Sequence, residues 1–178
     1  DFWLHSLGAA KASQLLAKMA GAKESPEACF TAGLLHDTGK YLLALALKER
    51  YRNVVEEAQV SNRALYEVEQ EILGTTHASV GMWIGTRWNL PDLFNDVMGY
   101  QYRLDEYKGE HRTEIALAGL ASDLSRKAGF GDAGDRNPVA LEDRLDQRVE
   151  PDQIDTALNE LADYRQEAKQ FLEELRGA

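Results

Sequence analysis

The fold of this chain is predicted most directly from the run Ala32-Gly33-Leu34-Leu35-His36-Asp37-Thr38-Gly39-Lys40. An imidazole and a carboxylate stand side by side in it, at the end of an apolar, helix-like run and just before a glycine. Burying an unpaired polar or charged group is energetically costly. The pair His36-Asp37 therefore either satisfies itself through hydrogen bonds or holds a metal ion, and the function of the chain depends on which.

Composition and charge argue against several classes of function. The 178 residues suffice for one domain with a substantial core. The formal net charge of -10 argues against a nucleic-acid partner, because phosphate binding depends on Lys and Arg. No stretch approaches the roughly 20 apolar residues that span a bilayer, which excludes a membrane-spanning helix. The single cysteine, Cys29, is interpreted as a buried, inert thiol and suits the reducing cytoplasm.

Apolar residues recur at helical spacing along most of the chain, and turn residues separate the runs. We predict helices over residues 2–21, 26–37, 41–51, 54–60, 64–73, 77–88, 114–128 and 151–178, with one more beginning at Pro91. Ser25 followed by Pro26 predicts a helix start, and Gly39 predicts a break. No hairpin dipeptide lies between alternating runs, and no Gly-rich phosphate loop is present. The predicted fold class is therefore all-α, a multi-helix bundle.

The last helix carries a near-heptad apolar stripe formed by Ile154, Leu158, Leu161, Ala168, Leu172 and Leu175. This stripe predicts packing against the same domain, and a homodimer seam is the alternative. Trp83 and Trp88 are interpreted as packing residues. His111, between Glu110 and Arg112, is interpreted as a solvated loop residue.

Four polar residues lie in apolar helical surroundings and are candidate metal ligands: His5, His36, Asp37 and Asp123. Helix bundles build metal sites from inward polar side chains on several helices. Two imidazoles and two carboxylates form a mixed nitrogen and oxygen set that suits Mn, Fe, Co, Ni or Zn better than Ca. Without further information, satisfied core histidines and capping aspartates are the more common explanation of such residues.

Two further residues are weaker candidates. His77 lies in the first turn of a predicted helix and is a further candidate metal ligand, although a cap or a neutral imidazole also explains it. Lys40, just after Gly39, is a candidate phosphate-binding residue, although a surface lysine is the more common case.

Two runs together resemble a known family. Residues 33–40, preceded by Phe2-Trp3-Leu4-His5-Ser6, resemble the HD superfamily. The run from Glu69 to Gly81, followed by Trp88-Asn89-Leu90-Pro91, is similar to the HDOD domain, the HD-related output domain of bacterial signalling proteins. The resemblance implies an all-α bundle of the HD-domain type, related to the cyclic-dinucleotide phosphodiesterases called HD-GYP. It covers roughly residues 2–130.

The resemblance also implies a domain organisation. We expect an HDOD-like helical domain over residues 1–130, a loop over 131–150, and a C-terminal helix over 151–178 that packs on the same domain. The chain opens with Asp1-Phe2-Trp3 and has no initiator methionine. Because HDOD members carry a helical segment before the first His-containing helix, we expect this chain to be a fragment that lacks that segment.

The metal ligands of the superfamily are a His, an adjacent His-Asp and a distant Asp, and by position they correspond to His5, His36, Asp37 and Asp123. The phosphodiesterase branch adds a His that matches His77 and a His-His pair after the Trp-x-Leu-Pro helix. Here Gln101-Tyr102 stand at that pair, and the Gly-Tyr-Pro loop of the branch is missing. Gln and Tyr are poor ligands for a second transition metal, which argues against a two-metal centre.

These observations lead to one preferred function and two alternatives. The preferred one is a bacterial, cytoplasmic signal-transduction output domain that works through contacts with signalling proteins and has no catalytic turnover. The first alternative is a mononuclear metal-dependent phosphohydrolase acting on a nucleotide or another phosphoester. The second is a domain that holds one divalent transition metal only to tie its helices together.

Overall fold

The computed structural model describes residues 2–131, 133–135 and 149–177. In these ranges the chain is helical and contains no strand, which confirms the predicted all-α bundle. The helices are α1 (Phe2–Ala20), α2 (Pro26–Leu35), α3 (Thr38–Leu47), α4 (Glu49–Ser61), α5 (Leu65–Leu73), α6 (His77–Arg87), α7 (Asp92–Tyr100), α8 (Arg112–Lys127) and α9 (Pro151–Gly177), with a short 3-10 turn at Leu104–Glu106. Most of the loop expected over 131–150 lies outside the described residues.

Helix α1 is the centre of the bundle, with α2, α8 and α9 packed around it. Its Leu16 is fully buried together with Leu120 of α8 and Leu161 of α9. Helix α9 therefore lies against the same core as α1 and α8. Its stripe is buried only in part, since Leu175 near its end is 60% exposed, contrary to the expected inward position.

Local cap chemistry explains several helix ends. Ser25 Oγ accepts a hydrogen bond from the Ala28 backbone N–H at 3.1 Å, so the predicted start of α2 is confirmed. Thr76 Oγ1 accepts one from the Ser79 N–H at 3.1 Å and caps α6. These caps fix where α2 and α6 begin; α2 leads into the turn with His36 and Asp37, and α6 begins with His77.

The predicted break at Gly39 is wrong. Helix α2 ends at Leu35, His36 and Asp37 form the turn, and Gly39 lies inside α3. A Cβ atom on Gly39 would overlap the backbone carbonyl of His77, so the glycine is needed for the close approach of α3 to α6. The helix expected over 41–51 is also interrupted, because Lys48 has a φ of 48° and separates α3 from α4.

Three side chains lie in surroundings opposite to those expected. Trp83 and Trp88 are 61% and 59% exposed, so they are not packing residues in this chain. His111 is 7% exposed, and its Nδ1 lies 2.8 Å from Asp96 Oδ2 on α7, so it is not a solvated residue. The wrong predictions for the tryptophans and for His111 have one cause: the residues that do or do not cover a side chain are remote in sequence.

Within the described residues, no helix combines the length and the apolar character that crossing a lipid bilayer requires.

Candidate functional site

Buried polar side chains from several helices meet at one place in the bundle. His5 lies on α1, His36 and Asp37 form the turn between α2 and α3, and His77 opens α6. These four residues are at most 1% exposed. We call the following set the polar cluster: His5, His36, Asp37, Lys40, His77, Asp123 and Arg126.

The Nδ1 atoms of His5 and His36 face backbone carbonyl oxygens. His5 Nδ1 lies 3.0 Å from the oxygen of Gly131, and His36 Nδ1 lies 2.7 Å from the oxygen of Gly33. A carbonyl oxygen can only accept a hydrogen bond, so each Nδ1 carries a proton and donates it. In a neutral imidazole of this tautomer, the Nε2 atom presents a lone pair.

A buried carboxylate orients His77 in the same way. Glu69 Oε2 lies 2.6 Å from His77 Nδ1 and also accepts the His77 backbone N–H at 2.8 Å. The Tyr51 hydroxyl donates to Glu69 Oε1 at 2.6 Å. Burial alone would raise the pKa of Glu69, but His77 and Tyr51 outweigh it and the pKa is lowered. Glu69 is a site residue that the sequence motifs do not single out, although its position four residues after Leu65 places it on the inward face of α5.

All three imidazoles turn Nε2 toward the Asp37 carboxylate. His36 Nε2 lies 3.2 Å and His5 Nε2 3.9 Å from Oδ2, and His77 Nε2 lies 3.8 Å from Oδ1. The Nε2 atoms of His36 and His77 have no hydrogen-bond partner within the described part of the chain. Lone pairs that converge on a carboxylate need a cation between them, which a metal ion or a protein side chain can supply.

A protein cation already contacts Asp37. Lys40 Nζ lies 2.7 Å from Asp37 Oδ2, and the lysine is 3% exposed, so it is not the surface residue that its type suggests. Its ammonium also lies 3.4 Å from the Tyr102 hydroxyl and 4.0 Å from Asp135 Oδ2. Burial alone would raise the pKa of Asp37, but the facing Lys40 ammonium opposes this effect and the pKa is held well below its usual value.

A second cation, the partly buried Arg126, neutralises the buried Asp123. The Arg126 guanidinium pairs with Asp123 Oδ1 one turn along α8. Burial lowers the pKa of Arg126, but the facing Asp123 carboxylate reverses this effect and the pKa is raised. Arg126 also donates to Ser122 Oγ, which in turn lies 3.2 Å from His5 Nε2.

The polar cluster contains all the residues that the sequence suggested as ligands, but they are not equivalent. One ligand atom each from His5, His36 and Asp37 lie within 4.8 Å of one another, and these three form the group of metal-ligand type among the described residues. Asp123 is outside that group, and His77 approaches it only through Asp37. The unsatisfied Nε2 atoms fit a divalent transition-metal ion, which prefers neutral imidazole and carboxylate ligands.

Gln101 has a structural role here. Its Nε2 donates to the His36 carbonyl oxygen at 2.9 Å and lies 3.4 Å from Asp37 Oδ1. The amide thereby ties the end of α7 to the turn between α2 and α3. It holds the backbone of the His-Asp pair, at the position where the phosphodiesterase branch carries a histidine.

Comparison with known proteins identifies the family. The family model of the HDOD domain matches residues 1–104. The chain belongs to the HDOD family. No curated protein sequence matches it.

Solved structures share the fold of this HDOD chain. An HDOD domain protein with unknown function from Geobacter sulfurreducens is 22% identical, with a TM-score of 0.78 over 94% of this chain and 62% of that one. A candidate signal transduction protein from Marinobacter aquaeolei is 22% identical, with a TM-score of 0.82 over 96% of this chain and 38% of that one. The MmoQ response regulator from Methylococcus capsulatus is 26% identical, with a TM-score of 0.65 over 88% of this chain and 60% of that one. The chain thus spans less than two thirds of each of these proteins.

The buried histidine of α1 predicts an acid-sensitive HDOD domain. Burial, reinforced by the neighbouring His36, lowers the pKa of His5 from 6.5 to about 3. His5 is therefore neutral in the folded state at pH 7, as a metal ligand must be. Between pH 6.5 and about 3 the unfolded chain binds more protons at this position than the folded chain does, and the difference approaches one proton in the middle of that range. The unfolding free energy should fall by about 1.4 kcal/mol per pH unit from this residue alone.

The measurement is urea unfolding at several pH values in the presence of a chelator. His5→Asn is the matched variant, because its side-chain amide can still donate to the Gly131 carbonyl oxygen but does not titrate. We expect the unfolding free energy of this variant to depend less steeply on pH, by a slope that corresponds to about one proton. Equal slopes in the two proteins would contradict the assignment of a neutral, buried His5.

Proposed function

We propose that this chain is a bacterial, cytoplasmic signal-transduction output domain that acts through contacts with signalling proteins and does not turn over a substrate. The observation that carries the proposal is that a lysine and an arginine neutralise both acidic positions of the motif. Lys40 contacts Asp37, and Arg126 pairs with Asp123. In the superfamily both carboxylates bind the metal, so a hydrolytic ion would have to displace Lys40 and Arg126 together.

The signalling role is supported by the family and by the relatives. HDOD domains are output domains of signalling proteins, and two of the structural relatives are a candidate signal transduction protein and a response regulator. The outer face of α6 supports protein contacts, since it exposes Trp83 and Trp88 and stacks the Arg87 guanidinium 6.0 Å from the Trp83 ring centre. Tryptophan and arginine are the residue types that dominate binding at protein interfaces. A homodimer through α9 remains the alternative proposal for assembly.

A second candidate function, a mononuclear metal-dependent phosphohydrolase, is favoured by the inward Nε2 atoms. His5, His36 and Asp37 would hold the ion, with His77 beside them. A divalent ion in such a site supplies Lewis acidity toward a phosphate oxygen or a water molecule. Gln101 and Tyr102 argue against a second ion, because neither is a good transition-metal ligand.

The test is a turnover assay on the full chain with Mn²⁺, Fe²⁺, Co²⁺, Ni²⁺ or Zn²⁺ supplied. The substrates are a cyclic dinucleotide, a nucleoside monophosphate and p-nitrophenyl phosphate. We expect no more product than the matched His36→Ala variant forms. Metal-dependent hydrolysis that is present in the wild type and lost in His36→Ala would overturn the proposal and establish the second candidate.

A further inference from the structure

The cation in contact with Asp37 belongs to a side chain that can move. Lys40 reaches Asp37 from one turn along the chain, and its four-carbon stem has many rotamers. Nothing covalent holds the ammonium at Asp37. A divalent ion bound by Asp37 would contact the same carboxylate and would repel the Lys40 ammonium.

A second position for the ammonium lies next to the first. Asp135 Oδ2 is 4.0 Å from Lys40 Nζ, and Asp135 Oδ1 is buried without a hydrogen-bond partner in the described residues. A groove of about 260 Å³ adjoins the lysine and is lined by Phe2, Lys40, Tyr41, Ala44, Tyr51, Ala133 and Gly134. The ammonium can therefore leave Asp37 and still find a carboxylate and open space.

The three imidazoles offer an incoming metal ion nitrogen lone pairs, which the Lys40 ammonium does not engage. An ammonium has three protons to donate, and here Asp37 Oδ2 and the Tyr102 hydroxyl accept two of them. The Nε2 atoms of His36 and His77 receive none. A transition-metal ion accepts such lone pairs directly, so it would bind the Nε2 atoms that the lysine leaves without a partner.

We propose that Lys40 is a displaceable internal counter-ion, and that a divalent transition-metal ion and the Lys40 ammonium bind Asp37 in alternation. Metal binding moves the ammonium toward Asp135 and the adjoining groove. The proposal rests on the proposed function, because an exchange of cations without turnover gives a signalling domain two states of one site. The bound ion changes the surroundings of α3 and of the segment that carries Asp135.

The first test measures Co²⁺ binding to the full chain by visible absorption and by calorimetry. Lys40→Met removes the competing charge and keeps an unbranched side chain of similar length. We expect it to bind Co²⁺ at least about tenfold more tightly than the wild type does. Lys23→Met is the matched control, because it removes an exposed, ion-paired lysine outside the polar cluster, and its affinity should equal that of the wild type. His36→Ala in the Lys40→Met background should abolish the gain.

The second test uses the wild-type chain and does not depend on the folding of a variant. The rate of acylation of Lys40 by an amine-reactive ester is followed by mass spectrometry, with saturating Co²⁺ or with a chelator. We expect Co²⁺ to raise the rate severalfold, because the lysine is 3% exposed at Asp37 and moves toward the open groove. The rate at Lys23 should not change.

Three outcomes would overturn the exchange: equal or weaker Co²⁺ binding by Lys40→Met, no binding by either protein, or unchanged acylation of Lys40 in the metal-loaded wild type. None of these readouts measures turnover. Hydrolysis in the phosphoester assay would overturn the proposed function and leave the exchange standing. Failure of the exchange would leave an output domain with a permanent Lys40–Asp37 pair.

Discussion

Replacing Asp37 by alanine is expected to lower the unfolding free energy by about 3–5 kcal/mol. The carboxylate is fully buried, and Lys40 Nζ lies 2.7 Å from it. Removing one member of a buried ion pair leaves the other as an uncompensated charge, which is more costly than removing both. Asp37→Ala would also leave three imidazoles around a cavity. The measurement is urea unfolding at pH 7 with a chelator present.

A double-mutant cycle separates the charge from the lost packing. Asp37→Ala with Lys40→Met removes both charges, and we expect it to recover about 2 kcal/mol of the loss relative to additivity. The control is Glu49→Ala, which breaks an exposed pair with Arg52 and should cost no more than about 0.5 kcal/mol. Two results would show that the Lys40–Asp37 pair does not neutralise the site. One is an Asp37→Ala variant within about 1 kcal/mol of the wild type in unfolding free energy, and the other is a coupling energy near zero.

Replacing Gly39 by alanine is expected to cost about 3 kcal/mol, at the upper end of the effect of overpacking. The added Cβ would overlap the His77 carbonyl group, which is backbone and cannot rotate away. Helices α3 and α6 would have to separate, and His77 would move from its position beside Asp37. Thermal and urea unfolding measure the loss of stability.

Gly81→Ala is the matched control, because Gly81 lies on α6 at the same contact between helices. Its added Cβ would meet Met98 Cβ at 3.3 Å and Met98 Sδ at 3.4 Å, so the helices need to give by only a few tenths of an ångström. Alanine also has a higher helix propensity than glycine by about 1 kcal/mol. We therefore expect Gly81→Ala to be nearly neutral. Equal effects of the two substitutions would contradict a specific role of Gly39 in the helix contact.

Much of the fold could be predicted because it depends on local chemistry. Helical periodicity marks the helices, and Ser25 and Pro26 mark the start of α2, because a cap acts within one turn of its own residue. The role of Gly39 could not be predicted, because it depends on a residue that is remote in sequence. A glycine serves as a helix stop or as a point of close approach, and only the position of α6 shows that this one serves the approach.

The candidate site follows the same division. The motif identifies His5, His36, Asp37, Asp123 and His77 by type and order. It does not identify Glu69, because a lone acid on a helix is usually solvated and becomes a histidine partner only when α5 and α6 meet. Asp123 stays a predicted ligand, and only the folded chain shows that its neighbour Arg126 pairs with it.

The class of fold, the family and the residue types of the polar cluster can be predicted from the chain alone, because they depend on periodicity and on the order of residues. The state of that cluster depends on how the helices pack. His5 donates its Nδ1 proton to a carbonyl 126 residues away, and Gln101 holds a carbonyl 65 residues away. The direction of each lone pair and the cation that faces Asp37 are set by such remote partners, which share no local pattern with the residues that they orient.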